Sequence, residues 1–386
     1  MKKGWEIKKL GEVCEFKSGT TIDSKLEKSD GEIIYAKVGD MNLEGNEDYI
    51  TMSSRYVDFK SINQNQIIPV GSIIFPKRGG AIATNKKRRI IQPTIVDLNT
   101  MALVPSKIID KGYLFFWFKQ IDLSDLSNGT SIPQINNYSF DDVHISYPKS
   151  LPEQQRIVAI LDEAFAAIAM AKANAQQNLK NAKELFESYL QGVFENKGDG
   201  WEEQLFENCF KLKSGDGLTS KNMGVGGEYP VFGGNGIAGL HNSFNLSGSN
   251  VIIGRVGALC GNVRHITENI WLTDNAFKVV DFKFDFDHSF LTYLLNFKNL
   301  RSFARQAAQP VISNSSLKDV VLEFPKSLKE QKEIVKKLDA LSTETKKLEA
   351  IYQQKINDLE ELKKSVLQKA FSGELAEPKE KETIAV

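Results

Sequence analysis

The side chains best able to hold a metal or attack a substrate are sparse in this chain. Four histidines, His144, His241, His265 and His288, are scattered, with no His-x-x-x-His pair and no cysteine at ligand spacing beside them. They are expected to be surface or core residues, and no metal site is expected. Three cysteines, Cys14, Cys209 and Cys260, form no CxxC pair, which points to a reducing compartment rather than to disulfides or a zinc ribbon. There is no GxxxxGKS/T phosphate loop. "GGNGIAG" (233–239) reads as a turn rather than a dinucleotide fingerprint, and "DFKFDFDH" (281–288) reads as an edge strand with one wet face. "INNYSF" is not the NPPY/F motif of an adenine methyltransferase. No catalytic set is expected in this chain.

What remains is one stretch whose residue types could contact nucleic acid. "PKRGGAIATNKKRRI" (76–90) carries Lys77, Arg78, Asn85, Lys86, Lys87, Arg88 and Arg89. Arginine pairs with guanine and asparagine with adenine, while lysine serves phosphates. The alternative reading of "KKRR" is a solvated turn between strands. "GSNVIIGRVGALCGN" (248–262) offers Arg255 and Asn262, with Arg264 just beyond, but lacks the basic run. At a fixed offset Arg78 superposes on Arg255, and such a pair suits a shared structural loop as well as a shared contact. Ser18-Gly19-Thr20-Thr21 and Ser214-Gly215 fit either an approach to DNA or a turn, and Arg301 and Arg305 suit a salt-bridged helix face. With 49 basic against 49 acidic residues, the chain does not hold nucleic acid by charge alone.

The elements that carry these residues are written twice. "PKSLPEQQRIVAILD" (148–162) and "PKSLKEQKEIVKKLD" (325–339) agree at ten of fifteen positions across an offset of 177 residues. The same offset relates "ELFESYLQGVF" (184–194) to "ELKKSVLQKAF" (361–371), whereas "WEIKKLGEVCEFKSG" (5–19) and "WEEQLFENCFKLKSG" (201–215) are 196 apart. The second copy therefore lacks 19 residues between the matches of 32 and 71. Fixed-period similarity of this kind means a duplicated unit.

Each copy begins with a Gly-rich domain (1–149 and 200–326) whose runs "SIIF", "NVIIG" and "IWL" alternate with turn signals. These predict mainly β-structure, with one helix each near "YLFFWFKQI" and "FLTYLLNF". Each copy ends in a long helix (150–199 and 327–376), opened by a capping-box spacing at Ser150/Glu153 and Ser327/Glu330. Residues 377–386 read as a flexible tail. The first helix carries Ile157, Leu161, Ala164, Ile168, Ala171, Ala175, Asn178, Ala182, Leu185 and Tyr189 at alternating steps of four and three. The second carries Ile334, Leu338, Leu341, Leu348, Tyr352, Leu359, Leu362 and Val366. A 3.5-residue period predicts a coiled-coil seam, with Asn178 a polar register residue, and helices roughly 65 Å long that pair antiparallel with each other. The expected fold is α+β: two mainly-β domains and an antiparallel coiled coil related by pseudo-two-fold symmetry. The charged N-terminus has no apolar h-region after it and no run of about 18 apolar residues occurs, so a soluble cytoplasmic protein is expected.

This order of parts closely resembles the specificity subunit of type I restriction–modification enzymes. The resemblance covers essentially the whole chain, through the paired domain starts "GWEIKKLGEV" and "GWEEQLFENC", the "SGT" and "SGDG" after them, "NGTSIPQIN" and "QAAQPVISN" at the domain ends, and the repeated helix openings. "QAAQPVIS" departs by lacking the Gly and Asn of its counterpart. The resemblance implies two target recognition domains, each reading one half of an asymmetric bipartite site in double-stranded DNA, with the paired helices setting the gap. It implies two methyltransferase (modification) subunits docked on the helices and restriction (translocase/nuclease) subunits beyond them. S-adenosylmethionine, ATP and Mg2+ would be bound by those partners and no cofactor by this chain, which would not itself be an enzyme. The alternatives are a methylation-only or type II-like recognition subunit, or a structural coiled-coil interaction protein.

Overall fold

A computed structural model describes residues 3–129, 131–223, 226–305 and 309–375. The expected tail, Thr130 of "NGTSIPQIN" and residues 306–308 of "QAAQPVISN" lie outside the described residues. The chain divides into two compact units, Met1–Asn174 with Lys355–Val386, and Ala175–Gln354. Each unit holds one β-rich region together with half of each long helix.

In the first unit the strands are β1 (Trp5–Lys9), β2 (Cys14–Ser18), β3 (Ile33–Ala36), β4 (Tyr49–Ile50), β5 (Tyr56–Val57), β6 (Ile73–Pro76), β7 (Arg88–Ile90), β8 (Thr94–Val96), β9 (Thr100–Pro105) and β10 (His144–Pro148). They form a five-stranded sheet ordered β2-β9-β6-β7-β4, a three-stranded sheet β5-β3-β8, and the pair β1-β10. β6 is buried along its whole length, as its unbroken apolar run requires of a strand covered on both faces. Helix α1 (Lys111–Lys119) is opened by Asp110, whose carboxylate accepts the Gly112 and Tyr113 N–H groups. Its aromatic residues bury against the sheet on one side, and Tyr113 meets Phe371 of a long helix at 5.1 Å on the other.

The second unit repeats the plan with fewer parts: β11 (Trp201–Leu205), β12 (Lys211–Ser214), β13 (Tyr229–Gly233), β14 (Gly236–His241), β15 (Asn250–Gly254), β16 (Val263–Ile266), β17 (Trp271–Leu272), β18 (Ala276–Val280) and β19 (Val321–Pro325). Their sheets run β12-β18-β15-β16, β14-β13-β17 and β11-β19. "GGNGIAG" is the turn and second strand of the β13–β14 hairpin. Residues 281–287 are not the edge strand their alternation suggested: they have no ladder partner and form an irregular connection. Period-two burial is met there by packing alone, with Phe284 and Phe286 lying against Phe324 at 5.4 and 4.6 Å. Nor do Arg301 and Arg305 share a helix face. Arg301 lies in a short 3-10 turn and donates to the Ala258 carbonyl, while Arg305 bridges to Val311.

The long helices are α2 (Leu151–Glu195) and, after α3 (His288–Phe297), α4 (Leu328–Ser372), and they pack together. Within the first unit Ile157 and Leu161 of α2 share a core with Leu367, Ala370 and Phe371 of α4, so the segments run antiparallel. Lys172 pairs with Glu360 in the same sense. Within the second unit Leu190 and Phe194 meet Ile334 and Leu338.

The predicted seam holds in part. Ile157, Leu161, Ile168 and Leu338 are buried, and Ile334, Leu341, Tyr352, Leu359 and Val366 half-buried. Asn178, Leu185, Tyr189, Leu348 and Leu362 are exposed, and their neighbours Leu179, Phe186, Leu190, Glu349 and Lys363 face inward instead. A straight α-helix drifts about 20° per heptad from a strict 3.5 repeat, so a fixed frame leaves the buried stripe by one residue. The helix ends also pack on the β-regions, where burial recurs every fourth residue, as at Ala182, Phe186, Leu190 and Phe194. Asn178 is therefore no buried register residue. The capping box forms only in its serine half at α4: Ser327 Oγ accepts the Glu330 N–H at 3.4 Å, while the Glu330 carboxylate accepts the Trp201 indole N–H at 3.0 Å.

Candidate nucleic-acid interface

In the first unit, sequence segments far apart meet at one end of the main sheet. Beyond β6, the Lys77 N–H donates to Asn99 O (2.8 Å), the Lys77 carbonyl accepts from Ile135 N (2.9 Å), and the Gly79 N–H donates to Pro133 O (2.8 Å). "IPQI" is thus an extra extended segment laid beside "PKRG", with Arg78 bridged to Gln134. The "SGT" turn joins them, since Lys77 Nζ donates to Ser18 Oγ at 3.0 Å. Gly19 is required there: a Cβ would lie 1.9 Å from the Asp97 carbonyl oxygen. Burial first, and the Arg78 charge second, hold the Lys77 ammonium below its ordinary range. Arg78 itself is exposed.

The second unit builds the same junction. The Arg255 N–H donates to Asn275 O (2.9 Å), the Arg255 carbonyl accepts from Ile312 N (2.9 Å), and the Gly257 N–H donates to Pro310 O (3.1 Å). A Cβ on Gly215 would lie 2.2 Å from Leu272 O, the counterpart of the Gly19 contact. These bonds correct the expected superposition. Arg255 occupies the place of Lys77, and Val256, bridged to Val311, occupies that of Arg78. One extra residue in the second copy before β15 shifts the register, and a one-residue shift in an extended segment turns every side chain to the other face. Arg255 is half-buried over the Phe277 ring at 5.2 Å, donates to Asp274 O at 3.4 Å, and has a buried Nε without a partner. The exposed guanidinium of Arg78 has no cationic equivalent.

The run Lys86–Arg89 does not join Arg78 in one cluster. Lys87 is 3% exposed; its ammonium donates to Asn85 Oδ1 (2.7 Å) and Ile121 O (2.6 Å), and burial pushes it down to about 8. Asn85, in the left-handed conformation with φ of 52°, also accepts the Leu123 N–H at 3.0 Å. Arg88 donates to the Met41 and Lys87 carbonyls, and Arg89 lies between the Tyr49 and Phe115 rings at 5.5 and 5.6 Å. Lys86 donates to Asn42 Oδ1 on an exposed turn. Four of these five side chains therefore brace the unit from inside. In the second unit Arg264 crosses the face of Gly236, whose Cβ would sit 3.3 Å from Nη2, and lines an open hollow of about 610 Å3 with Asn235, Ile237 and His265. Asn262 is half-buried in the turn before β16.

Comparison with known proteins places this duplicated arrangement. The sequence model of the type I restriction modification DNA specificity domain matches twice, over residues 2–181 and 198–361. The chain belongs to this family. The specificity subunit of the type I restriction enzyme EcoprrI from Escherichia coli is 30% identical over 203 residues, 51% of this chain and 50% of that one. The MjaIX specificity subunit of Methanocaldococcus jannaschii is 25% identical over 246 residues, 57% and 55% of the two chains. The StySPI subunit of Salmonella potsdam is 27% identical over 327 residues, 71% and 67%. The chain thus spans about half the length of the first two relatives. Two solved chains share its fold at 18% identity. One, from the work on complex assembly and conformational transition of the type I R-M system, has a TM-score of 0.76 over 97% of this chain and 99% of that one. The HsdS subunit from Thermoanaerobacter tengcongensis has 0.62 over 97% and 98%.

Two features of these specificity domains escaped the sequence reading. The first is a buried glutamine in each repeated helix opening. Gln154 Oε1 accepts the Asp110 N–H (2.6 Å) while its Nε2 donates to Pro148 O (2.8 Å) and Ile108 O (3.1 Å). Gln331 does the same with Asp287 N (2.7 Å), Pro325 O (2.9 Å) and Asp285 O (3.0 Å). Identity of "EQ" in both copies was the available signal. The second is that His265 and His288, 23 positions apart in sequence, meet across Ser249. They are not scattered as expected, because β16 ends beside the first turn of α3. Among the described residues, no helix is long and apolar enough to cross a membrane.

Proposed function

We propose that the chain is the sequence-reading subunit of a type I restriction–modification complex, each specificity domain addressing one half of an asymmetric bipartite site in double-stranded DNA. The observation that carries this reading is a pair of homologous junctions that differ in the groups they present: exposed Arg78 in one, half-buried Val256 and Arg264 with exposed Asn235 and Ile237 in the other. A duplicated scaffold with unlike reading groups suits unlike half-sites, since phosphate contacts position a protein while base contacts specify sequence. Arg78, Gln134 and the Ser18–Thr21 turn are the reading candidates of the first unit; Asn235, Ile237 and Arg264 are those of the second. Lys86 and half-buried Lys77, Arg255 and Asn262 serve phosphates or support the loops. Lys87, Arg88, Arg89 and Asn85 act as internal braces.

The long helices set the gap between half-sites and receive two methyltransferase subunits. Supporting this are the apolar side chains that both helices leave exposed: Leu185, Tyr189, Leu348 and Ile351 in the second unit, Met170 and Leu362 in the first. S-adenosylmethionine-dependent methylation, ATP and Mg2+ belong to those subunits and to the restriction subunits. The test is to co-express the chain with its methyltransferase and map methylated adenines across a genome. A split, non-palindromic motif with one modified adenine per half is expected. A stable complex that leaves no methylated motif refutes the DNA-reading role and favours a purely structural coiled-coil protein.

A further inference from the structure

Beside the hollow lined by Asn235, Ile237 and Arg264, the second unit brings two imidazoles onto one hydroxyl. Ser249, just before β15, has its Oγ 2.8 Å from His265 Nε2 on β16 and 2.8 Å from His288 Nδ1 at the start of α3. The rings stand at 85° with centroids 5.7 Å apart. Each is held from behind: His265 Nδ1 lies 3.0 Å from Ser289 Oγ, and Phe282 stacks on His288 at 5.4 Å with 23° between planes. The scaffold beneath is rigid, since β16 is laddered to β15 with Val251 opposite His265.

We propose that His265 and His288 form a binding site for one divalent transition-metal ion, with the Ser249 hydroxyl and solvent completing the coordination. A neutral imidazole offers one lone pair, and a metal-bound histidine characteristically gives its other N–H to a fixed acceptor. Ser289 Oγ is placed to be that acceptor for His265 in the tautomer that presents Nε2 to the ion. The Ser249 hydroxyl can bridge the rings by donating to one nitrogen and accepting from the other, and a dication about 2.0–2.1 Å from each nitrogen takes over that bridge when both rings turn a lone pair inward. Ser249 is exposed, so it can turn to become a ligand or yield its place to water. Asp287, the N-cap of α3, brings a negative charge beside the site and offsets the positive end of the helix. Nitrogen ligands select Zn2+, Ni2+ or Cu2+ and not Mg2+ or Ca2+, so this ion is distinct from the Mg2+ that partner subunits use with ATP. With two imidazoles the site binds more weakly than a four-ligand structural zinc. Its effect is to tie the sheet edge at β16 to α3, stabilising the second unit whenever the ion is present.

The experiment titrates the chelator-stripped full chain with Zn2+ by calorimetry, follows Co2+ by visible absorption, and records thermal unfolding with Zn2+ or Mg2+. One Zn2+ per chain, nitrogen-ligand Co2+ bands, and a melting point raised by Zn2+ but not by Mg2+ are expected. His265→Ala and His288→Ala should each weaken Zn2+ at least tenfold and remove the melting shift, and Ser249→Ala should keep both. His265→Gln and His288→Gln preserve hydrogen bonding to Ser249 and give the same reading if alanine impairs folding. No saturable Zn2+ binding, or binding unchanged in the double glutamine variant, overturns the assignment. This outcome is independent of whether the chain reads DNA.

Discussion

Single residues in this protein divide by whether their polar atoms are already satisfied. Gln154 and Gln331 are fully buried, and each closes three hydrogen bonds that fasten a long helix to a strand end and to the cap of a second helix. Replacing either with leucine leaves backbone groups buried and unpaired, so each variant should lose about 2–4 kcal/mol, read from chemical denaturation of its unit. Lys87 gives a pH signature. Its folded value of about 8 lies below the ordinary 10.5, so between these limits the unfolded chain keeps a proton that the folded chain has released. Stability should therefore rise with pH across that window, by about 3 kcal/mol at most, and the rise should vanish in Lys87→Met. A flat difference between the two proteins would show that Lys87 stays charged inside its pocket. Composition alone grouped Lys87 with Arg78; a side chain's direction depends on strand pairings that residue types do not encode.

At the level of elements, the long helices carry two kinds of apolar residue with opposite consequences. Leu161 and Leu338 are fully buried between helix and β-region, and alanine at either should cost about 2–5 kcal/mol. Leu348 and Ile351 are exposed, so glutamate at both should leave the melting temperature almost unchanged while abolishing co-purification with the methyltransferase proposed to dock there. If that double variant still forms the complex, the partner docks elsewhere. The existence, length and pairing of these helices were legible from the repeat, the absence of internal breakers and the apolar period. Their inward face past Ala175 was not, because a rule fixed at 3.5 residues ignores drift and the packing of helix ends on β-regions.

For the molecule as a whole, the proposed DNA-reading role combined with duplication and divergence means that a reading residue in one unit should affect one half of the target. Arg78→Ala should relax the methylated motif at a position in one half-site and leave the other half intact, as genome-wide adenine mapping would reveal. Relaxation of both halves would mean that Arg78 acts through folding or assembly. The sequence by itself determined the duplication, the mixed α and β content, the two long helices and the family resemblance, because these rest on local periodicity and on identity at a constant offset. Tertiary structure alone decided that Lys77, not Arg78, corresponds to Arg255. It also decided that the basic run turns largely inward, that two distant histidines share a serine, and that each compact unit borrows half of both helices. These outcomes depend on strand register and on contacts between segments remote in sequence, where one inserted residue reverses a side chain without altering any local pattern.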